Sequence, residues 1–274
     1  MITKSVKFLS LAISAAILGG SIANADIIST IQGAASGSTV TVSGTYSLTS
    51  SITVPSNVTV KGPATFNFNS AGNGFVLSGT NCKLYSLTVE AVNHPGIYIY
   101  NGNTCRVDSC TATGNYDSGI QIQGSSAKSN TIYNCISKSN YDSATGGQNA
   151  DGYSIKFSTG SGNSCQSCDA HSNSDDGFDF WQAGASITCT SCKSYGNGSG
   201  SAGNGNGFKM GSSGMNVAMT YTSCTAYTNK GTSGRGFDTN GNVAKHKLTS
   251  CHSYSNKTAD RLGNSTLSSC TMQN

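Results

Sequence analysis

The sequence is short of charge. Charged residues make up 10% of its 274 positions, against about 25% in an average globular chain. Glutamate is nearly absent: Glu90 is the only one, so almost all the acid is Asp. This excludes helical bundles and coiled coils, which need Glu and Lys on regular faces. There is no Lys/Arg run, and the formal net charge is only +4. Neither a nucleic acid nor a membrane surface is therefore expected as a partner. None of the four histidines (His94, His171, His246, His252) belongs to a constellation. Disorder is excluded too, because apolar residues recur at short intervals.

The N-terminus carries a targeting pattern. Lys4 and Lys7 precede the apolar run Phe8 to Gly20, and Ala23-Asn24-Ala25 follows. The run is too short to span a bilayer comfortably. Met1 to Ala25 reads as a secretory signal peptide. A secreted, extracellular chain from Asp26 to Asn274 is then expected. Losing Lys4 and Lys7 lowers its charge from +4 to +2. Four N-x-S/T sequons lie at Asn57, Asn197, Asn256 and Asn264.

An internal repeat organises the rest. Cys110, Cys135, Cys168, Cys192, Cys224 and Cys251 are each followed, after four intervening residues, by Asn115, Asn140, Asn173, Asn197, Asn229 and Asn256. A degenerate copy puts Leu87 in the cysteine place and Val92 in the asparagine place. Between copies lie short alternating runs such as Ile97-Tyr98-Ile99-Tyr100, bounded by Gly, Asn and Ser. These are strand and turn signals. Short strands repeating every ~25 residues predict an all-β, single-domain right-handed parallel β-helix. Removing 25 of 274 residues leaves 249, or about ten coils. A helix over Asp26 to Gly37 is expected to cap the first coil.

Equal repeat positions stack in columns. Thiols suit an interior column and Asn amides a hydrogen-bonded one. Eleven cysteines in a secreted chain also suggest disulfides, with one left over. Cys165-x-x-Cys168 and Cys189-x-x-Cys192 match zinc-ribbon spacing, but they lie one coil apart, and stacking explains them without metal.

The repeat also places the chemistry. Aligned on Gly152, Gly177, Gly207 and Gly236, four coils yield one column of Asp151, Asp176, Asn206 and Arg235. A second reads Ser154, Asp179, Lys209 and Asp238. Between them Tyr153, Phe178, Phe208 and Phe237 point inward. Asp151, Asp175, Asp176 and Asp179 fall within two adjacent coils. Carboxylates held so close repel one another unless a cation neutralises them. Oxygen ligands without His or thiolate favour Ca2+. Lys209 lies one coil from Asp179 and either pairs with the acids or, if neutral, is the candidate general base. A divalent cation plus a neutral amine is the equipment for β-elimination of a uronic-acid polymer.

These residues resemble a known family. Gln148-Asn149-Ala150-Asp151-Gly152-Tyr153, Lys156, and His171-Ser172-Asn173-Ser174-Asp175-Asp176-Gly177-Phe178-Asp179-Phe180-Trp181 look like the signature of family 9 polysaccharide lyases, typified by pectate lyases. Gly205-Asn206-Gly207-Phe208-Lys209-Met210-Gly211 resembles that family's catalytic lysine segment, and Arg235-Gly236-Phe237-Asp238 the next coil. The resemblance implies Ca2+ on Asp151, Asp175, Asp176 and Asp179, Lys209 as Brønsted base, and pectate as substrate. A monomer is expected.

Weaker expectations attach to neighbours. Arg235 is a candidate fork for a substrate carboxylate, or a partner of Asp238. Asp238 is a candidate for substrate contact or for orienting Lys209. Lys156 either touches substrate or pairs with Asp151. Two rival functions stand beside the lyase. A polygalacturonase-like hydrolase would use an Asp pair, but such enzymes carry a Gly-His-Gly segment that this chain lacks. A non-catalytic carbohydrate-binding or adhesin β-helix would show no turnover.

Overall fold

The computed structural model describes residues 24–273. The expected leader lies outside the described residues, apart from Asn24 and Ala25. Helix α1 covers Asn24–Gln32. Ile27 and Ile31, four residues apart, are fully buried. They close the end of the solenoid, and Gln32 Oε1 accepts the Thr53 amide at 3.1 Å. The helix ends earlier than expected. Gly37 takes a left-handed φ of +86° and donates to the Asn57 carbonyl at 3.1 Å, which turns the chain into the first strand.

From there the chain winds through parallel strands on three faces. The first face runs from Thr39–Thr41 to Thr266–Ser268, with nine successive parallel pairings linking ten strands. The second runs from Gly44–Ser47 to His252–Tyr254. The third is an eight-stranded sheet from Ile52–Thr53 to Phe237–Asp238. The period of the coil is thus legible in the sequence.

The Ser-Cys repeat makes the corner between the first two faces. Ser109, Asn134, Ser167, Ser191, Ser223 and Ser250 hold φ between 51° and 54°. Left-handed backbone at a non-glycine residue costs of order 1–3 kcal/mol. Backbone bonds between coils offset it, such as Ser167 N to the Thr190 carbonyl at 2.8 Å. The following cysteine turns inward. All eleven thiols are free, and all are buried except half-exposed Cys270. The disulfides considered from the cysteine count are therefore not formed. Cys165 pairs in register with Cys189, so the ribbon-like spacing arises from stacking.

The asparagines form a continuous ladder. Each Nδ2 donates to the next Oδ1: Asn115 to Asn140 at 2.9 Å, then to Asn173 at 2.8, Asn197 at 2.9, Asn229 at 3.1 and Asn256 at 3.0 Å. The sequons at Asn197 and Asn256 are consumed by this ladder. Those at Asn57 and Asn264 are exposed.

On the third face the aromatic column is present as read. Tyr153, Phe178, Phe208 and Phe237 stack with centroids 4.7 to 4.8 Å apart. The glycine before each leaves no space for a side chain; a Cβ at Gly177 would collide with Ser194 Oγ. With every second residue held inward, Ser154, Asp179, Lys209 and Asp238 must face outward in register.

Candidate active site

Stacked strands bring the acids together. Asp151, Asp176 and Asp179 each offer a carboxylate oxygen within 4.8 Å of the other two. Each ties its other oxygen to backbone. Asp151 Oδ1 accepts Asp176 N at 3.2 Å, Asp176 Oδ1 accepts Asn206 N at 2.6 Å, and Asp179 Oδ1 accepts Trp181 N at 2.9 Å. The backbone thereby aims the three Oδ2 atoms at one point. Asp175 is placed differently. Its two oxygens accept Asn149 N at 2.9 Å and Asn204 N at 2.6 Å, which clamps the neighbouring loops and keeps it out of the triad.

Two lysines flank the triad. Lys209 Nζ lies 3.1 Å from Asp176 Oδ2 and 3.5 Å from Asp179 Oδ2. Lys156 Nζ lies 3.2 Å from Asp151 Oδ2 and 3.9 Å from Asp179 Oδ2. Both are buried, Lys209 at 8% exposure. Burial pushes the Asp176 carboxyl up; Lys209 opposes it, Asp175 and Asp179 reinforce it, and the result is about 8. Asp151 is likewise raised, by burial first and against the pull of Lys156. Burial works against the charge of Lys209. Asp176, then Asp179, Asp151 and Asp175, outweigh it and hold the amine above its ordinary range. Asp151 and Asp179 do the same for Lys156. Without a further cation, then, carboxyls resist ionising and ammonium groups resist deprotonation.

The donor set fits a hard cation. Three carboxylate oxygens converge, with no sulfur or imidazole among them. Asp176 Oδ2 is buried without a hydrogen bond of proper geometry.

The outer residues are arranged otherwise than expected. Asp238 does not orient Lys209. Its Oδ1 accepts from Arg261 Nε at 2.6 Å, and its Oδ2 lies 3.6 Å from Arg235 Nε. Arg235 also donates to the Ala259 carbonyl. The reason is register: Arg261 bridges to Asp238 from the next coil. Arg261 was missed by motif reading, although it falls one repeat length after Asp238. Gln121 and Gln123 were missed as well. They precede Ser154 and Lys156 by one coil, and counting back from the site would have found them. His171 lies away from the triad, stacked on Tyr195 at 4.8 Å.

Known proteins share this fold. The family model described as "Pel9A-like, right handed beta helix region" matches residues 12–270. Pectate lyase L of Thermoclostridium stercorarium is 33% identical over 196 residues, covering 64% of this chain and 15% of that protein. Pectate lyase L of Dickeya chrysanthemi is 30% identical over 208 residues, covering 71% of this chain and 48% of that protein. The chain thus spans less than half the length of these two relatives. The crystal structure of pectate lyase Pel9A superposes with a TM-score of 0.77 at 23% identity, covering 89% of this chain and 72% of that one. Through the family match, the shared coil and the stacked motifs that form its outer face, the chain belongs to the Pel9A-like right-handed β-helix family, that of the family 9 polysaccharide lyases.

Proposed function

We propose that this chain is a secreted, Ca2+-dependent pectate lyase that cleaves polygalacturonate by β-elimination with Lys209 as base. One observation carries the reading: a buried amine sits 3.1 and 3.5 Å from carboxylates that converge on a cation-sized space. The names of the relatives support pectate as the substrate, and the charge pattern of Met1 to Ala25 supports secretion.

Asp151, Asp176 and Asp179 would hold the ion, with Asp175 securing the loops around them. Bound there, Ca2+ supplies Lewis acidity toward a substrate carboxylate and so acidifies the carbon beside it. With the aspartate charges countered, the field that keeps Lys209 protonated is removed. Neutral Nζ then takes the C5 proton. The C5–H pair becomes the C4=C5 double bond, the C4–O bond breaks, and the leaving oxygen takes a proton from solvent. The product is a 4,5-unsaturated oligogalacturonide. Arg235, Asp238 and Lys156 edge the path of the polymer.

The raised Asp176 favours one rival, a hydrolase with a protonated carboxyl as acid. The triad's spacing counts against the inverting form of that rival, which separates its carboxyls by ~6.5–9.5 Å to admit water. The test is ultraviolet absorbance of the purified protein on polygalacturonate. Absorbing product with Ca2+, abolished by chelator, is expected. Reducing ends without the chromophore would establish hydrolysis, and no turnover on any uronate polymer would leave a binding protein.

A further inference from the structure

The outer face beside the triad is not symmetric. On the C-terminal side stand two guanidinium groups, Arg235 and Arg261, the latter half exposed. On the N-terminal side a cleft of about 490 Å³ opens directly against Lys156 and Asn149. A second hollow of about 290 Å³ continues it past Gln121 and Gln123 to Tyr98. The two hollows form one trough along three coils.

The chemistry of this trough is neutral to acidic. Among the described residues, Lys156 is the only Lys or Arg lining it, and Asp151 and Asp179 already share that ammonium. Asp117 and Asp142 face the same space. The remaining polar groups are the His94 imidazole, the Ser143 and tyrosine hydroxyls, and side-chain amides, two of the amides being held in a preset array. Gln121 Nε2 donates to Gln123 Oε1 at 2.6 Å, and Tyr98 Oη donates to the same oxygen at 3.1 Å. Gln121 Oε1 accepts from Ser154 Oγ at 3.2 Å. The Gln123 amide nitrogen donates to none of the described residues, which leaves it for a ligand. Exposed Tyr116 and Phe157 add aromatic wall. Amides and rings suit sugar hydroxyls and ring faces. A carboxylate placed there would meet two aspartates, and the lysine beside it is already paired.

We infer that the trough on the N-terminal side of the triad binds an uncharged sugar unit of the polymer, while acidic units lie toward Arg235 and Arg261. This rests on the lyase reading for the polymer's class, but the preference itself follows from the lining residues. Two sources share the required chemistry: a methyl-esterified galacturonosyl unit, and a neutral sugar such as rhamnose between galacturonosyl units.

The test is calorimetric binding to the Lys209→Ala variant with Ca2+, which removes turnover. Three oligomers of equal length are compared: fully acidic, methyl-esterified, and alternating with rhamnose. At least one of the last two is expected to bind about fivefold tighter than the first, and which one does so identifies the source. Asp117→Lys, added to that background, should selectively tighten the acidic oligomer; Gln123→Arg, at the half-exposed end of its strand, repeats the test without touching a turn. A fully acidic oligomer that binds equally or more tightly overturns the inference. So does an added cation that affects all three alike, or a lack of binding by any of them. Absorbing product from the wild-type protein on polygalacturonate is read separately. Its absence would sink the lyase reading while leaving the binding preference to stand or fall on its own.

Discussion

Two stacked polar columns run through this solenoid, and they behave in opposite ways. In the asparagine column each side chain both donates and accepts. From Asn140 onward, Oδ1 of each asparagine takes the backbone N–H and the Nδ2–H of the coil before it, as in Asn173 N and Nδ2 to Asn197 Oδ1 at 3.1 and 2.9 Å. Buried amides satisfied in this way stabilise the stack. The column Asp151, Asp176, Asn206 begins alike, with one oxygen of each capturing a backbone N–H of the next coil. A carboxylate has no hydrogen to pass on, however. Its second oxygen is left facing other carboxylates and must find a cation. One backbone period thus yields a structural ladder with amides and a cluster of convergent carboxylates with acids. Exchanging the two chemistries is the way to probe the difference.

The largest effect is expected at Lys209. Lys209→Ala removes the amine from the acid column, and turnover should fall by about 10²–10⁴-fold. The amide column is untouched, so with Ca2+ present the melting temperature should stay within a few degrees. A retained rate in the ultraviolet assay would mean that another base operates.

Asn173→Asp moves the acid chemistry into the ladder. The new carboxylate would face Asn197 Oδ1 and the Ser137 carbonyl, both of which now accept from Asn173 Nδ2. Loss of both donors and burial of a charge should cost about 3 kcal/mol in denaturant unfolding. An unchanged midpoint would show that the ladder contributes little.

The pH dependence sharpens the contrast without mutation. Burial pushes the Asp176 carboxyl of the folded chain up to about 8, above the ordinary carboxylate range, and Asp151 is raised too. Between those limits the folded chain holds protons that the unfolded chain has released. Stability without a divalent ion should therefore fall as pH rises from 4 to 8, by at most about 1.4 kcal/mol per unit for each group. Melting curves in chelator should show the decline, and Ca2+ should flatten it. A flat curve in chelator would contradict the raised carboxyls. The asparagine ladder, lacking charge, adds no slope.

The smallest change is Lys156→Met. Four aspartates and two lysines give the site a net −2; losing one ammonium makes it −3. Ca2+ affinity by calorimetry should rise several-fold, while the ion-free protein melts lower. Weaker binding would show instead that Lys156 serves to hold Asp151 in place.

The repeat made much of this legible. Cys and Asn at a constant offset predicted the thiol and amide columns. Alignment on Gly152, Gly177, Gly207 and Gly236 predicted that Asp179, Lys209 and Asp238 would be neighbours, because parallel coils stack equal positions. What escaped was the direction of side chains at turns. Nothing in the order Asp175-Asp176 says that the first clamps two loop amides while the second faces the triad. Arg261 carries no motif, so its capture of Asp238 was invisible. The end of the cap helix escaped as well, since it depends on a turn closing onto Asn57.

The sequence by itself determined the coil, its period, the inward columns and the set of residues sharing the outer face. Those follow from two-residue alternation and from stacking of equal positions, which are local rules. Only the tertiary structure decided which carboxylate oxygen turns to the cluster, which cation each acid takes, and that the trough beside it is lined with amides. Those outcomes depend on backbone N–H groups and charges contributed by adjacent coils more than twenty residues away, and no local pattern encodes their angles.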